Sequence, residues 1–105
     1  TYADYDVAFH MELAVASQNR LLIAVYTAIE PLMKQIVEHV VKSGGKVEND
    51  SGFHAAILER IKARDPEGAQ DKMKDHLTAS ERMFQDSIEP DTGLDQVLLW
   101  TSQPV

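Results

Sequence analysis

No cysteine occurs among the 105 residues, which excludes disulfides and thiolate metal ligands and leaves nitrogen and oxygen donors for any metal. Positive charge is also scarce. Ten basic side chains face seventeen acidic ones, for a net charge of -7, which repels a phosphate backbone and argues against DNA binding by this chain. No apolar run approaches the roughly twenty residues of a membrane span. The opening TYADYD has neither the basic start nor the apolar stretch of a signal peptide, so the expected location is the cytoplasm. Phosphate-cradling glycine loops, internal repeats and low-complexity segments are missing as well. A chain of this length builds one small domain around a single core.

What is present is helical periodicity throughout, with no alternating segment that reads as a strand. The first helix is expected over about residues 4 to 17, with Phe9, Leu13 and Ala16 forming an apolar stripe beside Asp6 and His10. A second helix starts at Asn19, a good N-cap, and runs to about Lys42 with Leu22, Val25, Ile29, Leu32, Ile36 and Val40 on one stripe. Pro31 should kink it. SGGK, residues 43 to 46, ends that helix through Gly44 or Gly45 in the left-handed conformation. A third helix over roughly 50 to 63 carries His54, Ile57 and Ile61 on its inner stripe. Asp65 and Pro66 then restart the chain as N-cap and first helical residue. The fourth helix, about 66 to 88, places Ala69, Met73, His76, Ser80 and Met83 inward. Short connections make successive helices antiparallel, so the expected architecture is an all-α up-and-down bundle over 1–88. The tail 89–105, with Leu94, Val97, Leu98 and Trp100, is either a short docking helix or an interface patch.

Three helices thus place a histidine on an inward stripe, and Asp6 stands four residues before the first of them, about 6 Å away on a helix face. A buried histidine is ordinarily a hydrogen-bonded core residue, and an i, i+4 Asp/His pair is ordinarily a surface pair. The alternative is a shared divalent cation, for which imidazole nitrogens and a carboxylate oxygen suit zinc, nickel, manganese or iron. Burial without such a partner removes water from each polar group and returns nothing. His39, at the flank of its stripe, reads as a surface or interface residue.

The runs DVAFHMELAVASQNRLL, HAAILERI and ARDPEGAQDKMKDHL resemble the FadR C-terminal (FCD) domain, the all-helical effector-binding module of one branch of the GntR superfamily of bacterial transcription regulators. The resemblance covers about residues 4 to 86. It implies a metal site made of Asp6, His10, His54 and His76, with zinc or nickel foremost and manganese or iron as alternatives. It implies a small organic acid as effector, a homodimer, and DNA contact only through a winged helix-turn-helix domain that this chain does not contain. The family's histidine at the start of the third helix commonly follows a glutamate, whereas here it follows Phe53. The first helices of the family domain do not precede the Asp6–His10 helix, so the chain reads as a fragment of a longer regulator, with a degenerate stand-alone descendant as the alternative.

No catalytic residue is assigned. A metal-dependent hydrolase would need a general base beside the metal, and the inner stripes offer no carboxylate beyond Asp6, because Asp75 points away. A helical module stapled by metal for structural or interaction purposes remains the other alternative.

Overall fold

The computed structural model describes residues 1–88, apart from the side chains of 47–49; the expected tail over 89–105 lies outside the described residues. The fold is all-α. The helices are α1 (Tyr2–Ala16), α2 (Arg20–Lys42), α3 (Val47–Lys62) and α4 (Pro66–Ser87), with no strand among the described residues. They fall into two compact units, Thr1–Lys42 and Ser43–Val105.

In the first unit, Thr1 opens α1 two residues ahead of the expected start. Its hydroxyl accepts the Asp4 backbone N–H at 3.3 Å and satisfies one of the donors a helix start leaves orphaned. The face that α1 buries is Ala3, Asp6, Val7 and Ala14, not the expected stripe of Phe9, Leu13 and Ala16. Of those three, Phe9 and Leu13 are half-buried and Ala16 is exposed. Small residues at positions 3 and 14 let the neighbouring helix approach closely, which larger side chains on the same line would prevent. The helices run antiparallel: Lys34 Nζ meets Asp4 Oδ1 at 2.8 Å near the open end, and the Tyr26 hydroxyl donates to the Val7 carbonyl at 3.3 Å nearer the turn.

α2 departs from expectation. Helix continues through Pro31, but none of its described residues is buried, and Leu22, Val25, Ile29 and Leu32 are 40 to 56 % exposed. Periodicity located the apolar stripe and could not say how little of it α1, its partner within the unit, covers.

In the second unit, α3 and α4 pair around Ile57, which is 1 % exposed. Ile61, expected on the same buried stripe, is exposed because it lies close to the turn where the pair opens to water. The α4 stripe matches expectation, with His76 buried and Ala69, Met73, Ser80 and Met83 half-buried.

The two hairpins turn alike. After a right-handed C-cap residue, Ser17 or Ala63, one non-glycine residue takes the left-handed conformation: Gln18 at φ 58° and Arg64 at φ 55°. A capping side chain follows at once. Asn19 Oδ1 accepts the Leu22 N–H at 3.1 Å and Asp65 Oδ1 accepts the Gly68 N–H at 2.9 Å, as the N-cap reading expected. Gly44, at φ 89°, supplies the left-handed residue after α2.

Candidate functional site

α1 holds the first pair. Asp6, 6 % exposed, lies one helical turn before His10, and its Oδ1 is 3.4 Å from His10 Nε2. The His10 ring is fixed from two sides: Phe9 meets it edge-on at 5.4 Å between centroids, and Tyr26 of α2 lies 6.3 Å away. Burial, then the charges of Asp6 and Glu30, push the Tyr26 hydroxyl up to about 12. It therefore stays protonated and keeps donating to α1 across the neutral range. Tyr26 has no helical-spacing relation to His10 and could not have been picked out beforehand.

α3 and α4 hold the second pair. His54 Nε2 and His76 Nε2 face each other at 3.2 Å, with the rings perpendicular at 89°. His76, 2 % exposed, also lies 5.5 Å from the Phe53 ring, so Phe53 walls this side. Behind His76, its Nδ1 lies 3.4 Å from Ser80 Oγ and 3.7 Å from Asp50 Oδ1. Asp50 is buried. This corrects the expectation that no carboxylate beyond Asp6 falls inside. The signal was present in the sequence, because Asp50 precedes His54 by four residues, as Asp6 precedes His10.

Both pairs have the spacing of neighbouring ligands. Donors about 2.0 to 2.2 Å from a metal, at angles between octahedral and tetrahedral, stand about 2.8 to 3.6 Å apart. The observed 3.4 Å and 3.2 Å fall in that interval. With neutral histidines and carboxylates as donors, this His/Asp set could hold a divalent ion. In the metal-free chain one of the facing Nε2 atoms must donate to the other. His39, half-buried on α2, belongs to neither pair.

A groove in the second unit, about 830 Å³, is lined by Phe53, Ala79 and Met83 among others and by neither His54 nor His76. Its charged lining mixes Lys46, Lys72 and Arg82 with Asp75 and Asp86, which gives an anion little preference for it.

A helical chain that pairs a buried Asp6 with His10 and a buried His76 with His54 carries the donors of a binding site. The chain matches the FCD domain family over residues 1–79, three-quarters of its length, and it belongs to that family. FCD domains are the effector-binding parts of GntR-type transcription regulators, a regulatory class rather than a catalytic one. Neither the curated proteins nor the solved structures yielded a match. No helix among the described residues is long and apolar enough to cross a membrane.

Proposed function

We propose that this chain is the effector-sensing part of a cytoplasmic GntR-type regulator, with Asp6, His10, His54 and His76 as the four protein ligands of one divalent ion, zinc or nickel foremost. The observation that carries the reading is the ligand-like spacing within each pair, 3.4 Å for Asp6–His10 and 3.2 Å for His54–His76. Support also comes from the family match, which spans all four residues.

Three neutral imidazoles and one carboxylate leave a bound divalent ion with a net charge of about +1 and with coordination positions open to an anionic oxygen ligand. A small organic acid is the matching effector. The protein's own part is to hold the donors still: the Tyr26 hydroxyl anchors α2 to α1 at the level of Asp6, and Phe53 and Phe9 exclude water from the imidazoles. Effector binding controls DNA only if the two conformations of the regulator differ in affinity for it. The response is carried by a homodimer to a winged helix-turn-helix domain in the same regulator.

The test is elemental analysis of protein purified without chelator. About one equivalent of metal is expected in the parent and none in the Asp6→Ala/His76→Ala variant. His54→Ala should lower metal affinity far more than His39→Ala, and equal losses would refute the ligand assignment. With metal loaded, small carboxylates should raise the melting temperature; if none does, the ion is a structural staple. A metal-dependent hydrolase has one observation in its favour, the buried Asp50 near His76, and turnover of an ester by the zinc-loaded protein would establish it.

A further inference from the structure

The metal reading leaves Asp50 without a task, although burying a carboxylate is costly unless something compensates it. Its Oδ1 is fully enclosed and lies 3.7 Å from His76 Nδ1, on the side of the ring opposite the Nε2 that faces His54. Ser80 Oγ lies 3.4 Å from the same Nδ1. A carboxylate accepts hydrogen bonds and donates none when ionised. In a water-poor interior the ring nitrogen turned towards it must therefore carry a proton, since a lone pair there would be repelled.

We propose that Asp50, together with Ser80, is a positioning group for His76. It holds the proton on Nδ1 and thereby presents the Nε2 lone pair for metal coordination. Free neutral imidazole prefers the opposite tautomer, so the preference has to be imposed by the protein. Ligating histidines generally place their second nitrogen against a carboxylate, carbonyl or water, which fixes the tautomer and raises basicity. The 3.7 Å separation exceeds a direct hydrogen bond, so Asp50 acts on Nδ1 through its charge, while the Ser80 hydroxyl, 3.4 Å away, accepts from Nδ1. Asp50 and His54 sit one turn apart on α3, so the same helical register that supplies one ligand also supplies the carboxylate behind the other. The proposal rests on the metal reading above.

The test compares the parent with Asp50→Asn, which preserves shape and removes charge, and with Ser80→Ala, which leaves the carboxylate. Zinc affinity is measured by competition with a chromophoric chelator, the His76 tautomer by long-range nitrogen–proton NMR on the metal-free protein, and the melting temperature without metal. The expected result is a zinc affinity about ten- to a hundredfold weaker in Asp50→Asn, with population of the Nε2–H tautomer rising and the metal-free melting temperature not falling. Ser80→Ala should lose less. A parent His76 protonated at Nε2, or an Asp50→Asn variant that matches the parent in zinc affinity, overturns the assignment while leaving the metal site intact. A metal-free melting temperature lowered as much as the metal-loaded one reduces Asp50 to a packing role and also overturns it. A parent that takes up no zinc removes the metal reading, and the assignment with it.

Discussion

Asp4 and Asp50 illustrate what surroundings do to a carboxylate. Asp4 lies on the surface, and hydrogen bonds from Lys34 and then Thr1 hold it well below the ordinary 3.8. Because its folded-state pKa is depressed, its contribution is present above the unfolded value and lost as pH falls through the acid range. Asp4→Asn should therefore lower the melting temperature modestly at pH 7, and the gap from the parent should close as the solution is acidified; a gap constant with pH would contradict this origin. The effect is small because both partners of the pair are about half exposed. Asp50 is enclosed and faces an imidazole, and its effect belongs to the chemistry of that ring. The Asp6–His10 proximity was readable from i, i+4 spacing alone. The approach of Asp50 to His76 was not, since 26 residues separate them and only the pairing of α3 with α4 joins them.

At the scale of elements, capping residues were legible and burial was not. Asn19, Gly44 and Asp65 act as their types dictate because a turn needs only local geometry. The apolar faces of α1 and α2 were misjudged because periodicity reports a stripe without reporting its neighbour. The α4 start gives a sharp test. Alanine usually improves on a helical glycine by about 0.5 to 1 kcal/mol. At Gly68 an added Cβ would collide with the Asp65 carboxylate and crowd Arg60, breaking the cap that Gly68 N–H completes. Gly68→Ala is accordingly expected to destabilise by about 1 kcal/mol, the worth of an N-cap. In an Asp65→Ala background the same change should become stabilising. Thermal denaturation of the four proteins decides it, and additive effects would refute the coupling.

At the scale of the whole molecule, the all-α class was legible from the absence of any alternating segment, whereas the uncovered face of α2 was not. Leu22, Val25, Ile29 and Leu32 form a contiguous apolar stripe open to water, which in soluble proteins marks an association surface. If the regulator is the homodimer proposed above, this stripe is expected to contribute to its contact. Val25→Glu with Ile29→Glu should shift the sedimenting species from dimer to monomer and leave far-ultraviolet helicity unchanged; an unchanged mass would place the dimer contact elsewhere.

The paired turns at Gln18 and Arg64 carry a consequence for how the chain reaches its folded state. Each hairpin closes a connection of only three residues between its helices, so the contacts that define it join residues near in sequence, and low contact order gives fast folding. Asp6 meets His10 within one helix, and His54 meets His76 within one hairpin. Each pair of candidate ligands is therefore complete as soon as its own hairpin has zipped. An arriving ion would find each pair already formed, and its binding to a pair would appear in refolding experiments as slower unfolding rather than faster folding.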